Sequence, residues 1–157
     1  MLKVRIITLI IAIIACDQWS KNAVFYLFEN VHIKKTEIFF WLDFVYYFNR
    51  GVSFGFMNEY QYSNIVFLIL ASILSVIVLI IMIKSDNKLD RLVYAMIFAG
   101  ATSNIIDRII HGAVMDFIYI HIGDYAWPAF NLADAAISIG AVILVCNSMN
   151  LGSYAKK

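Results

Sequence analysis

Nineteen consecutive residues, Ile65 to Ile83, carry no charge, no glycine and no proline. A helix of that length rises roughly 28 Å, close to the ~30 Å hydrocarbon core of a bilayer, so the segment reads as a membrane span. Leu92 to Ile106 is a second, rich in small residues (Ala95, Ala99, Gly100, Ala101, Ser103) of the kind that let membrane helices approach closely. A third runs from about Phe130 to Met149. The N-terminal run Val4 to Cys16 is short for a span and reaches full length only if the helix continues through Asp17 and Lys21. Composition agrees: 62% hydrophobic and 15% charged residues with a mean hydropathy of +0.80, where soluble domains run near half apolar and about a quarter charged. The expected fold class is an all-α integral membrane protein of one domain, residues 1–157, with four transmembrane helices at about 3–24, 62–83, 91–110 and 129–149. The stretch 25–62 is not a span. Within it Ile38 to Phe48 is dense in aromatic and β-branched residues, interrupted by Asp43, and reads as one or two short strands or a surface-lying piece at the headgroup level; periodicity alone does not separate helix from strand here.

Lys and Arg set the orientation. The two ends and the 84–91 loop carry Lys3, Arg5, Lys84, Lys88, Arg91, Lys156 and Lys157, seven basic residues against the two acids Asp86 and Asp90. The other side has five basic residues (Lys21, Lys34, Lys35, Arg50, Arg108) against nine acids. The positive-inside rule then puts both termini in the cytoplasm, and all three Trp (19, 41, 127) fall on the outer side as interfacial residues. A net charge of +1 supplies no basic block for nucleic acid. Cys16 and Cys146 lie near opposite faces of the membrane on this topology, too far apart for a disulfide. Ile13-Ile14-Ala15-Cys16 imitates a cleaved lipoprotein signal, but cleavage would remove one of four spans, so it is expected to stay as the first helix.

The intramembrane polar residues gather in five clusters, each at the outer end of its span. Carboxylates at the edge of lipid are costly and are functional candidates by default. Asp134 opens the charge-free stretch Ala135 to Cys146, and Asp116 lies eighteen residues before it, after another apolar segment. Two such carboxylates with room to converge suggest a shared proton and an activated water. Asn131 is three residues before Asp134, on the same helix face; for a lone Asp, a helix N-terminal acid stabilised by the macrodipole would be the plainer reading. Asn104, Asp107 and Arg108 fall at i, i+3 and i+4 of one helix, suited to hydrogen-bonding a peptide or fixing a carboxylate. Their plainer reading is a polar helix end with Arg108 snorkelling to headgroups. Asp17 and Lys21, at i and i+4, can pair as a buried anchor, with direct contact to a substrate the other reading. Asn49-Arg50-Gly51-Val52-Ser53-Phe54-Gly55 contains Gly-x-Ser-x-Gly, but a nucleophile elbow needs a large α/β sheet that this chain cannot build. A turn at Gly51 that aims Asn49 into a site fits better. His32, His111 and His121 lack metal-ligand spacing and there is no Cys cluster, so no metal is expected.

Taken in order, Asp17-Gln18-Trp19-Ser20-Lys21, Asn49 to Gly55, Ser103-Asn104-Ile105-Ile106-Asp107-Arg108, Val114-Met115-Asp116-Phe117 and Phe130-Asn131-Leu132-Ala133-Asp134 resemble the motif series of the lipoprotein signal peptidases (type II signal peptidases). The series covers residues 17 to 134. Two positions depart from the pattern: Ser103 stands where the family usually has Gly, and Ser53 where many relatives have Ala. The resemblance implies a multi-pass enzyme of the bacterial plasma (inner) membrane with a small extracytoplasmic β-element between the first two spans, without a cofactor and with its site towards the outer face; a monomer is expected. It implies an aspartic endopeptidase that cuts before the diacylglyceryl-modified Cys of prolipoproteins. It carries a catalytic dyad onto Asp116 and Asp134, with Asn49, Asn104, Arg108 and Asn131 supporting. Asp17, Lys21, Asp107 and Gly51 take structural roles on this reading. A small transporter or proton-conducting protein is the rival. Such proteins place polar residues near the bilayer midplane, often in repeated halves, and no repeat is visible here.

Overall fold

The computed structural model describes residues 1–51 and 62–154, the side chains of 150–154 apart. Ser53 and Gly55 of the Gly-x-Ser-x-Gly run therefore lie outside the described residues. The chain opens with α1 (Leu2–Val31), a 30-residue helix that ends at His32 in the left-handed conformation. Two antiparallel strands follow, β1 (Lys35–Phe39) and β2 (Leu42–Asn49), joined through Phe40 and Trp41. After α2 (Ser63–Lys84), Asn87 caps α3 (Lys88–His111) by accepting from the Leu89 and Asp90 N–H groups at 2.8 and 3.4 Å. Gly112 then leaves α3 with φ +69°, a conformation that glycine adopts freely, and turns the chain into β3 (Val114–Ile122). The short β4 (Tyr125–Ala126) and α4 (Leu132–Tyr154) complete the fold.

Among the described residues three helices are long and apolar enough to cross a membrane: α2, α3 and Leu132–Met149 of α4. The first helix covers the expected 3–24 and runs on to Val31, with Asp17 and Lys21 of its upper half buried in protein. α3 and α4 pack backbone to backbone. A Cβ on Gly100 would lie 2.5 Å from the Ala133 carbonyl oxygen, and one on Gly140 would lie 2.7 Å from Ile97 Cγ1. Ala95, Ala99 and Ser103 are fully buried on the same helix, as small residues at a close helix contact must be.

The sheet corrects the all-α expectation with strands confined to the stretch between the first two spans. Its order is β1-β2-β3-β4, so half of it comes from between α3 and α4. Val114 to Ile122 is β-branched and aromatic throughout, save Met115, Asp116 and His121, and is bounded by Gly112 and Gly123. That is a readable strand signal, masked by the apolar helix before it. Beneath the sheet, Val24 and Phe28 of α1 bury against Met115 and Phe117 of β3, with Phe25, Phe44, Tyr46 and Phe48 around them. This cluster seats β2 and β3 on the end of α1.

Candidate active site

Asp116 reaches the site from β3. Asn49 pairs with Val114 across the β2–β3 ladder, so Asn49 and Asp116 point to the same face. Gly51 N–H donates to Asn49 Oδ1 at 3.0 Å, which turns the amide so that Nδ2 donates to Asp116 Oδ2 at 3.0 Å. A second segment is stitched to the other side of β3: Phe130 N–H donates to the Ile118 carbonyl at 3.0 Å, and Ile118 N–H to the Phe130 carbonyl at 2.8 Å. The next residue, Asn131, is thereby held beside Asp116, and its Nδ2 donates to Asp116 Oδ1 at 2.8 Å.

Asp134 arrives from the first turn of α4. Asn131 caps that helix by accepting from the Asp134 N–H at 2.9 Å, and Asp134 Oδ2 accepts from the Asn131 N–H at 3.3 Å. This is a reciprocal capping box, so Asp134 does serve the helix end. Its other oxygen, Oδ1, accepts from Asn104 Nδ2 at 2.8 Å. Asn104 is oriented in turn by Lys21 Nζ, which donates to its Oδ1 at 3.1 Å. An ammonium can only donate, so the amide's NH2 must face Asp134.

Behind these groups lies a buried ion cluster. Lys21 sits 2.6 Å from Asp17 Oδ2 and 2.8 Å from Asp107 Oδ2. Asp17 also accepts from Ser103 Oγ at 2.7 Å and from the Ala133 N–H at 2.9 Å. Asp107 accepts from Gln18 Nε2 at 2.6 Å and from the Met115 N–H at 3.3 Å. Every oxygen of these two acids is hydrogen-bonded or ion-paired, so they tie α1, α3, β3 and α4 together. Arg108 does not snorkel. Its side chain is buried, donating to the carbonyls of Arg50 and Gly51 at 3.2 and 2.9 Å and to Asn64 Oδ1 at 3.3 Å. It thus holds the main chain just after Asn49 and bridges it to the start of α2.

Asp116 and Asp134 line one cavity of about 440 Å³, with Asn49, Asn104 and Arg108 on its polar side. Its apolar side is formed by α2, α3 and α4 through Phe67, Leu70, Leu74, Val78, Ile97 and Ile137. The volume and the few convergent polar groups suit a ligand with a long apolar part. A second cleft of about 410 Å³ lies against Trp127 to Phe130 and also has Asp134 in its wall. Burial, with the Asp134 charge adding to it, pushes the Asp116 carboxyl up from its ordinary 3.8 to about 7. A carboxyl with such a pKa holds its proton below neutrality and exchanges it near neutrality, as an acid–base group must. All ten residues singled out from the sequence belong to this one connected network. Gln18, Asn64 and the Ser103 hydroxyl were missed. Gln18 lay within a recognised motif, and Asn64 is a polar residue at the mouth of the long apolar span.

Helices able to cross a membrane, a small sheet packed on the end of the first helix, and two carboxylates lining one largely apolar cavity define a membrane protein with a built polar site. Comparison with known proteins says which kind. A model of the signal peptidase (SPase) II family matches residues 9–150. A lipoprotein signal peptidase of Rickettsia conorii is 40% identical over 141 residues, covering 87% of this chain and 69% of the relative. One from Azoarcus sp. (strain BH72) is 35% identical over 145 residues, covering 91% and 81%. A solved bacterial membrane enzyme, determined by the in meso method at 2.3 Å resolution, has a TM-score of 0.79 at 26% identity, covering 98% of this chain and 92% of that one. The chain belongs to the signal peptidase II family, and is a peptidase.

Proposed function

We propose that the protein is an aspartic endopeptidase of the bacterial plasma membrane that removes signal peptides from prolipoproteins. It cuts the bond before a lipobox Cys that already carries diacylglycerol. The observation that carries the proposal is the meeting of Asp116 and Asp134 on one cavity, both hydrogen-bonded to Asn131. The substrate class is that of the related lipoprotein signal peptidases.

In the reaction the two carboxyls share one proton, because two adjacent carboxylates do not both ionise cheaply. The ionised one takes a proton from water as the water oxygen adds to the scissile carbonyl carbon. The protonated one gives its proton to the carbonyl oxygen. Collapse of the resulting diol breaks the C–N bond: the leaving amine takes the proton of the one carboxyl, and a diol hydroxyl returns its proton to the other carboxylate, which restores the shared proton. The amides of Asn49, Asn104 and Asn131 already donate to the two carboxylates, so their role is to aim the dyad. Two acyl chains, at about 0.8 kcal/mol per buried CH2, hold the substrate Cys at headgroup level. The apolar wall of the cavity suits what lies below it.

On this proposal α1 is a fourth span, both termini are cytoplasmic, and the sheet and site face outwards from a single domain that works as a monomer. The test is cleavage of a synthetic lipobox peptide, with and without diacylglycerol on its Cys, with the cut located by mass spectrometry. The expected result is cutting of the lipidated peptide alone, releasing a product that begins with the modified Cys. Equal cutting of the bare peptide, or a cut elsewhere, contradicts the assignment.

A further inference from the structure

Ser103 is fully buried in α3, and its hydroxyl both accepts and donates. Gln18 Nε2 donates to Ser103 Oγ at 3.1 Å, to the Ser103 carbonyl at 3.2 Å and to Asp107 Oδ1 at 2.6 Å. Carbonyl and carboxylate can only accept, so they define the amide's orientation and Gln18 meets Oγ as a donor. The hydroxyl's own hydrogen then goes to Asp17 Oδ2, 2.7 Å away. Asp17 is itself fully buried; its Oδ1 accepts from the N–H of Ala133, in the first turn of α4 and one residue before Asp134.

We propose that the Ser103 hydroxyl is a positioning group for the cleavage reaction, acting through Asp17 on the helix turn that carries Asp134. The inference rests on the reading of Asp134 as one of the catalytic pair. Lys21 also meets Asp17 Oδ2, but its ammonium is divided among Asp17, Asp107 and Asn104 at the end of a long side chain. The Ser103 hydroxyl, carried on the α3 backbone, gives that oxygen a second, independent donor, which fixes the carboxylate plane and keeps Oδ1 aimed at Ala133. The Ala133 N–H is one of the donors at a helix start that have no partner within the helix. Without a fixed acceptor, the first turn of α4 loosens, and Asp134 shifts relative to Asp116, which is carried on β3 and held by Asn49 as well as by Asn131. A misplacement of about 1 Å at reacting groups costs on the order of 10²-fold in rate. The plainer role for Ser103 is that of a small residue at a close helix contact, which Ala or Gly would fill equally well. The two accounts diverge on substitution.

The test uses the full chain in detergent with three variants: Ser103→Ala and Ser103→Gly remove the hydroxyl, and Ser103→Thr keeps it. Two readouts are taken, the Ala133 amide by proton–nitrogen NMR and steady-state cleavage of the lipidated peptide. In the Ala and Gly variants the Ala133 proton moves upfield and exchanges faster, and kcat falls about tenfold, equivalent to about 1.4 kcal/mol, with KM unchanged. Thr restores both readouts towards wild type. An unmoved Ala133 amide, an unchanged kcat in Ser103→Ala, or equal losses in all three variants overturns the inference. A wild-type protein that does not cleave, while its Ala133 amide responds to Ser103→Ala, overturns the peptidase reading and upholds the link from Ser103 to α4.

Discussion

Asn131 Nδ2 donates to Asp116 Oδ1 at 2.8 Å across fifteen residues of chain. The same residue caps α4 by accepting from the Asp134 N–H at 2.9 Å. One side chain therefore sets both the orientation of the strand-borne carboxylate and the start of the helix that bears the other. Rigid elements on both sides make the pair a preorganised site.

The raised pKa of Asp116 gives a pH dependence with a definite sign. On the proposed mechanism the pair needs one proton, and burial raises the Asp116 carboxyl to about 7, so kcat should fall as pH rises through that region. The Asn49 amide favours the ionised form of Asp116, and removing it takes that support away. A pH–rate profile of Asn49→Ala should therefore show its alkaline limb moved to higher pH. Folding stability follows the same proton. Because the folded state binds it more tightly, the contribution of Asp116 is full below its ordinary value of 3.8 and lost as pH rises towards about 7.

Gly100 and Gly140 should respond unequally to alanine. The added Cβ at Gly100 would meet the Ala133 carbonyl oxygen at 2.5 Å, a backbone atom one residue from Asp134; at Gly140 the nearest atoms are those of the Ile97 side chain, from 2.7 Å. Overpacking of this kind costs roughly 1–3 kcal/mol. Gly100→Ala is expected to lower the melting temperature and cut kcat by more than about tenfold. Gly140→Ala should lower the melting temperature with kcat kept within a few-fold.

Lys21→Met should unfold the protein well before it tells anything about chemistry. It strands two buried carboxylates, Asp17 and Asp107, which the ammonium approaches at 2.6 and 2.8 Å. Breaking a buried ion pair by removing one partner costs roughly 3–5 kcal/mol. Thermal unfolding in detergent measures it, and a melting temperature equal to wild type would mean the cluster carries no stability.

How much of this was legible in the sequence depends on range. The expected spans 62–83 and 91–110 correspond to α2 (Ser63–Lys84) and α3 (Lys88–His111), because uninterrupted apolar runs declare their own length. The same-face pairs Asp17/Lys21 and Asn131/Asp134 followed from helical periodicity. Contacts between distant segments did not. Asp17 meets Ala133 over 116 residues of separation, and no local pattern encodes that. Arg108 could be placed at a helix end, but its turn inward to the Arg50 and Gly51 carbonyls depends on where β2 lies. The strand bearing Asp116 was hidden by its position directly after an apolar helix.

The central claim is that Asp116 and Asp134 act together on one proton and one water. The most direct measurement is single-turnover cleavage of the lipidated peptide by Asp116→Asn and Asp134→Asn, each shown by melting curve to be folded. Either amide should lower the rate by at least about 10³-fold, and the double variant should lose little more, as residues that act as a unit do. Substantial cleavage by either single variant, or losses that multiply in the double, would contradict the dyad.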